Sequence, residues 1–506
     1  MSLKINTFVN YLGQGWVALM GLAFIPVYIH YLGIEAWGLV GFMSMMQAWL
    51  SLLDLGLTPT LSREMARFSA GAHSAQSIRN LLRSMEIIYG AVAVSVVATV
   101  WLAAPWLASQ WLKPGALPQA AVAQAITMMG LVLASRMAEQ VYRGAIQGLQ
   151  HLVWLNGAQA VLATVRWAGA VAVLAWGAPT IEVFFAWQGF LSLATLGVLA
   201  VRAYRWLPKA QSRAHFDRSE LRRIQRFAGG MVATTLLALL LTQIDKLLLS
   251  RLLPLEDFGY YVLAASVAST LSFLISPLST AIAPRLTELV TRSEQQLLVD
   301  TYHRASQWMA AILVPPALVL ANFAEPALWA WTGNEALART VAPILALLAI
   351  GTLFNGFMNV PYVAQLAHGW TGFVVRLNAV AVVVIVPAIF WAVPRFGAIG
   401  AAWVWVGLNV GYVVIGMHFM HRTLFPAEKW GWYRTAIIQP LAAGAAVAGL
   451  LGLSFPRVDS RPLTILIVLA AGALTFLFAV LATPEPRAFL LRGVSNLRRA
   501  LIRDGR

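Results

Sequence analysis

The sequence predicts an all-α polytopic membrane protein with about fourteen transmembrane helices, arranged as two six-helix lobes plus two C-terminal helices. Three observations predict this. Of 506 residues, 59% are hydrophobic and only 11% are charged, against roughly 25% charged in an ordinary soluble domain. The apolar residues come in blocks of about twenty, the length a helix needs to cross roughly 30 Å of hydrocarbon. Most Lys and Arg fall on one side of the resulting span map. Disorder is excluded, because disordered chains are poor in apolar residues. With no cysteine, structural disulfides, thiolate metal sites and cysteine nucleophiles are excluded as well.

The spans are placed at 9–30, 37–60, 84–107, 119–140, 152–176, 181–203, 228–251, 258–281, 305–325, 339–360, 371–393, 398–420, 435–455 and 462–482. The first block is too long for a cleavable signal and the next span follows at once, so it is expected to stay as an anchor. With the N-terminus in the cytoplasm, 28 of the 36 Lys and Arg lie on the cytoplasmic side, Arg136 among them. Six lie outside, and Arg166 and Lys246 remain inside spans. The net charge of +16 is thus accounted for by topology and contact with anionic lipid, with no need for nucleic acid.

The two halves echo each other at an offset near 220. LGIEAWG from Leu32 matches LPLEDFG from Leu253, Arg83 matches Arg304, Gly148 matches Gly369, and Gly177-Ala178 matches Gly397-Ala398. Six spans per half is an even number, so the halves share one orientation and are related by a pseudo-twofold along the membrane normal. The expected organisation is an N-terminal lobe at 1–203, a basic cytoplasmic linker at 204–227, a C-terminal lobe at 228–420, helices thirteen and fourteen at 421–482, and a basic cytoplasmic tail at 483–506. Within the linker, Asp217 with Glu220 has capping-box spacing and Phe216 with Leu221 has staple spacing, which predicts a short surface helix. Leu490, Val494, Leu497 and Leu501 predict a second one in the tail. Either helix serves lipid contact or gating, or is a solvated basic segment.

Enzyme chemistry is not visible. Outward loops such as 108–118 and 326–338 are too short for a catalytic domain. There is no P-loop and no HExxH, and the eight histidines are scattered, so no metal site is expected. A transporter is favoured. A membrane glycosyltransferase or polymerase is disfavoured, since it needs a substantial outward loop.

LGIEAWGLVGF, LDLGLTPTLSREMAR, QIDKLLLSRLLPLEDFGYYVLA and APRLTEL resemble the Wzx-type flippases of O-antigen and exopolysaccharide pathways, members of the multidrug/oligosaccharidyl-lipid/polysaccharide exporter superfamily. The resemblance spans roughly residues 5–420. It implies a V-shaped pair of six-helix lobes working by alternating access in the bacterial inner membrane, with both termini cytoplasmic. The cargo it implies is an undecaprenyl-pyrophosphate-linked oligosaccharide repeat unit moved from the inner to the outer leaflet. Polysaccharide polymerase and chain-length machinery are the implied partners, and the protein is expected to act as a monomer. A lipid II flippase and a cation-coupled multidrug exporter are relatives that the motifs leave open. No cofactor is required, and H+ or Na+ remains open as a coupling ion.

Such a cargo needs a cationic path through hydrocarbon, and charges inside spans are functional candidates because each is costly there. The central-cavity candidates are Lys246, Arg166, Asp245, Gln243 and Asp54. Arginine suits phosphate because its planar fork binds two oxygens at once. Asp245 and Lys246 are neighbours, expected to point about 100° apart and not to pair with each other. Arg166 is otherwise an interhelical clamp to Asp245 or Glu139. Asp54, just before Gly56 and Pro59, is otherwise a cap for amides freed at a helix break. At the cytoplasmic mouth the candidates are Arg63, Arg285, Arg376, Arg143, Arg83 and Arg304, whose alternative role is to set topology alone. Pro26 is the candidate hinge, or a static kink.

Overall fold

In hydrocarbon, a backbone amide has no water to bond, so each long apolar block must satisfy its amides within itself and folds as a helix. The computed structural model describes residues 13, 15–209, 212–218, 232–456, 458–492 and 495. Every regular element among them is helical. The chain divides into two compact units, Met1–Gly259 and Tyr260–Arg506.

In the first unit, helical residues 15–23 lead into α1 (Ile25–Leu50). Pro26 occupies the first turn of α1, where its missing amide is not needed. Gly33, at φ 82° and ψ 166°, breaks α1 and separates the first two expected spans without a loop. One 3-10 turn (Ser51–Asp54) follows, then two left-handed residues, Leu55 and Gly56, and then α2 (Leu57–Ser69). Next come α3 (Ala75–Trp106), α4 (Gln119–Gly148), α5 (Leu152–Trp176), α6 (Ile181–Trp206) and α7 (Val232–Leu252). The helix α8 (Leu255–Ala268) begins at the end of this unit. Central to the unit is α4, which packs on α2, α3 and α6. Leu61, Met65, Leu82, Met85, Val141 and Ala145 form a shared core there.

The second unit continues through a 3-10 turn at Ser269–Leu271, matching the turn in the first half, into α9 (Ser272–Thr291). It then runs through α10 (Gln295–Asn322), α11 (Ala324–Thr332), α12 (Glu335–Phe357), α13 (Asn359–Ala367) and α14 (Thr371–Gly411). It closes with α15 (Met417–Leu424), α16 (Lys429–Trp432), α17 (Gln439–Leu453), α18 (Arg461–Ala482) and the helical residues 484–492. Its core surrounds α10, with Tyr302, Leu313, Val314, Leu353, Met417 and Trp432 buried together.

Among the described residues, eleven helices are long and apolar enough to cross a membrane, and the chain is a multi-pass membrane protein. Three spans of the expected map account for the lower count. Span one begins in residues outside the description. Span seven is α7, which follows the undescribed residues 219–231. Spans eleven and twelve form one helix, α14, broken only at Gly397. The surface helix expected in the linker and the leucine stripe of the tail lie mostly outside the described residues, because Glu220, Leu221, Val494, Leu497 and Leu501 do.

Candidate functional site

The break between α1 and α2 creates the site. Leu55 and Gly56 turn the chain out of its helix, and the first amides of α2 lack intrahelical acceptors. Asp54 supplies one: its Oδ1 accepts the amide of Thr58 at 3.3 Å. The same oxygen accepts the hydroxyls of Thr58 and of Tyr89 from α3. This knot lies at the wall of a cavity of about 360 Å³, whose lining includes Gln47, Asp54, Tyr89, Arg136 and Gln140. Leu50, Pro59, Leu133 and Met137 complete the wall, so a few polar and charged groups converge on an otherwise apolar cavity.

The dominant charge there is Arg136, well inside α4. Its Nη1 donates to Gln47 Oε1 at 2.6 Å and its Nη2 to Gln188 Oε1 at 3.4 Å. Its enclosed Nε has no hydrogen-bond partner. The count of basic loops assigned Arg136 to the cytoplasmic end. In the structure α4 continues beyond it as a helix to Gly148. One turn further on, Glu139 is buried, and its Oε2 lies 3.6 Å from Arg143 Nη2. Arg136, Arg143 and Arg166 all interact electrostatically with Glu139. Of the expected residues, Asp54 lines the cavity together with Arg136, Tyr89 and Gln47, whereas Arg143 and Arg166 are not among its lining residues and act electrostatically on Glu139, the carboxylate offered above as a clamp for Arg166. Among the described residues no group of three or more His, Asp and Glu is placed to hold a metal ion.

Lys246, Asp245 and Gln243 lie on α7, which packs against α1 and the 51–54 turn, and they are not among the residues lining the cavity. The expectation that Asp245 and Lys246 would not pair is corrected. Lys246 Nζ stands 3.9 Å from Asp245 Oδ1 and donates to Thr242 O at 3.2 Å. The long lysine stem swings back along the helix, which the directions of the Cβ atoms alone do not capture.

The expected mouth arginines are held by neighbouring acceptors. In the first unit Arg83 pairs with Glu86 at 3.0 Å, and Arg63 with Glu64 at 2.9 Å. In the second, Arg285 pairs with Glu288 at 2.7 Å and Arg304 with Glu485 at 3.3 Å. Exposed Arg376 donates to Gly372 O at 3.1 Å. Glu64 is buried and also receives Arg67 at 3.1 Å and His73 at 2.8 Å. Burial alone would raise its pKa, but hydrogen bonds from Arg63 and His73 and the charges of Arg67 and Arg63 outweigh burial and hold it below the ordinary carboxylate value. A depressed pKa contributes stability above pH 4.5 that is lost as pH falls through the folded value. Glu64→Gln is expected to lower stability at neutral pH by about 1 kcal/mol, since the arginine partners are half-exposed. It should also flatten the acid limb of a thermal-stability profile. An unchanged acid limb would assign that limb to other carboxylates.

At the far ends of α3 and α4 the segment 107–118 forms a strap. Glu35 of α1 accepts the amides of Gly115, Ala116 and Leu117 at 2.5, 2.9 and 3.1 Å. Leu255 donates its amide to Lys113 O at 3.0 Å, and Trp111 Nε1 donates to Ser250 Oγ at 3.0 Å. The repeated motifs LGIEAWG and LPLEDFG meet beside it. A Cβ on Gly38 would lie 2.7 Å from Leu255 O, and one on Gly259 only 2.2 Å from Ile34 O. The two repeats therefore pack backbone to backbone.

The fold has solved relatives. A lipid II flippase MurJ in an inward closed conformation superposes with a TM-score of 0.69, covering 94% of this chain and 97% of that one at 11% identity. An inward-facing multidrug resistance MATE transporter of the MOP superfamily gives 0.61, covering 85% and 96% at 14% identity. By sequence, the chain is 20% identical over 413 residues to a Shigella flexneri protein named for O-antigen transport, covering 80% of this chain and 94% of that one. It is 24% identical over 304 residues to the teichuronic acid biosynthesis protein TuaB of Bacillus subtilis, covering 58% and 61%. The MatE family model matches residues 231–391. The polysaccharide biosynthesis protein family model matches residues 3–290, the stretch that carries Asp54, Arg136, Glu139 and the Glu35 strap. A match over more than half of the chain settles its kinship: the protein belongs to the polysaccharide biosynthesis protein family.

Proposed function

We propose that the protein is a flippase for a lipid-linked polysaccharide precursor. One observation carries this reading: a cavity inside a membrane unit, lined by Arg136 with Asp54, Tyr89 and Gln47 and with Arg143 and Arg166 acting on Arg136 electrostatically, in a chain of the polysaccharide biosynthesis family. Both sequence relatives carry names from polysaccharide export or synthesis. The cargo is an undecaprenyl-pyrophosphate-linked oligosaccharide repeat unit, moved by alternating access from the inner to the outer leaflet of a bacterial inner membrane. The polyprenyl tail stays in lipid. The pyrophosphate is the costly part to move, since hydrocarbon rejects charge, and guanidinium groups replace its hydration. Both termini lie in the cytoplasm, where basic segments meet anionic lipid. The protein works as a monomer that hands its product to polymerase and chain-length machinery.

In this reading Arg63, Arg83, Arg143, Arg285, Arg304 and Arg376 draw cargo from the inner leaflet. Asp245 and Gln243 keep Lys246 in place, and Pro26, at the junction between helical residues 15–23 and α1, is a hinge. The test is complementation of a bacterial strain lacking its own polysaccharide flippase, at matched membrane levels. Wild type is expected to restore surface glycan. Arg166→Ala and Lys246→Ala are expected to accumulate lipid-linked precursor. Failure of wild type despite good expression, or rescue by both variants, would overturn the reading. Normal transport by Pro26→Ala would remove the hinge alone.

A further inference from the structure

Glu139 lies one helical turn beyond the cavity-lining Arg136, outside the lining itself, and its carboxylate would repel the group that the arginines attract. It is 2% exposed, so it is not a surface charge. As a structural clamp it is poorly made. Its closest cationic contact, Arg143 Nη2, is at 3.6 Å, beyond hydrogen-bond reach, whereas charge-assisted bonds of this type close to about 2.8 Å. Its Oε1 has no hydrogen-bond partner, and the buried Nε atoms of Arg136 and Arg143 have none either. Arg143 and Arg136 act on it electrostatically from its own helix and Arg166 from α5, while Asp54 and Tyr89 line the cavity that Arg136 also lines. Against the three guanidiniums, the carboxylates of Glu139 and Asp54 leave a single positive charge. With Glu139 set aside the remainder is doubly positive, which the one negative charge on each phosphorus of a pyrophosphate diester balances.

We infer that Glu139 is the built-in counter-ion of the pyrophosphate site, sharing the arginines when cargo is absent and yielding them when cargo binds. This rests on the pyrophosphate reading of the cargo. Three guanidiniums with no counter-charge would be costly inside a membrane. With Glu139 present, the empty site is stable, and the arginines are held apart loosely enough to be captured. The carboxylate also limits affinity, so the cargo can leave. Glu139 is therefore a positioning residue that sets the balance between capture and release.

The test measures binding of undecaprenyl pyrophosphate and undecaprenyl monophosphate to the purified, full-length protein in nanodiscs, beside complementation and melting temperature. Glu139→Gln is expected to bind the pyrophosphate about tenfold more tightly, since one close like charge is removed, to gain less for the monophosphate, and to export less glycan because release slows. Glu139→Asp keeps the charge and is expected to bind like wild type. The double variant Glu139→Gln with Arg143→Gln restores the charge balance and is expected to return affinity toward wild type. Wild-type binding of neither lipid would overturn the cargo reading, and the counter-ion with it. Wild-type binding with equal or weaker binding by Glu139→Gln, at an unchanged melting temperature, would overturn the counter-ion and leave the cargo reading standing. If Glu139→Gln does not fold, loss of pyrophosphate affinity in Glu139→Asp would likewise overturn the counter-ion role, marking the residue as structural.

Discussion

Arg136→Gln is expected to abolish glycan export while leaving the protein folded in the membrane. The guanidinium lines the chamber and is oriented by two neutral amides, Gln47 and Gln188. Its charge is thus only partly committed within the fold and remains available to an anion. Glutamine preserves much of the hydrogen bonding and removes the charge. The lost contact is of the order of 3 kcal/mol, roughly a hundredfold in binding. Stability should not fall, because an ionised group in hydrocarbon is itself costly. Arg136→Lys should recover part of the activity, limited by the loss of the planar fork. Complementation combined with melting temperature reads both effects, and full transport by Arg136→Gln would remove the residue from the cargo path.

Gly259→Val is expected to prevent the close packing of the two repeated motifs. The obstacle to any side chain there is Ile34 O, and at Gly38 it is Leu255 O, both backbone atoms that cannot rotate aside. Overpacking of a flexible core costs about 1–3 kcal/mol, and a backbone wall yields less than a side chain. The chain has no cysteine, so a single cysteine can be read without background. Placed at Ala36, which is 1% exposed, it should be protected from maleimide in the parent protein. In the Gly259→Val background it should react at least about tenfold faster, the mark of an opening near 1.4 kcal/mol more favourable. Transport should fall with it. Unchanged protection would mean that α1 and α8 separate by another route.

Much of this was legible in the chain. Arg166 and Asp54 stand out because a charge within an apolar block has few reasons to be there. The LGIEAWG and LPLEDFG motifs are visible by eye, and the structure gives them a common task. The stretch SRMAEQVYRG depresses hydropathy, so the apparent span ends at 140 while α4 runs on to Gly148. Its polar residues, at 136, 139, 140 and 143, recur at helical spacing, and that period was the signal that α4 continues, with Arg136 and Gln140 at the cavity. Tyr89 and Gln47 carry no such mark, since either residue type is ordinary in a helix. The Glu35 strap was beyond reach. Its partners are three backbone amides some eighty positions away, and amides have no sequence signature.

The break in α14 bears on how the protein is made. Gly397 sits at φ 58° and ψ −144°, a region open essentially to glycine alone. The helical arms meet there with no intervening loop. With so little chain between them, the two arms are expected to insert together rather than one after the other. Arg395 sits two residues before the break, its guanidinium 5.0 Å from the ring of Trp391. A side chain at Gly397 would tax membrane insertion during synthesis before it touched transport.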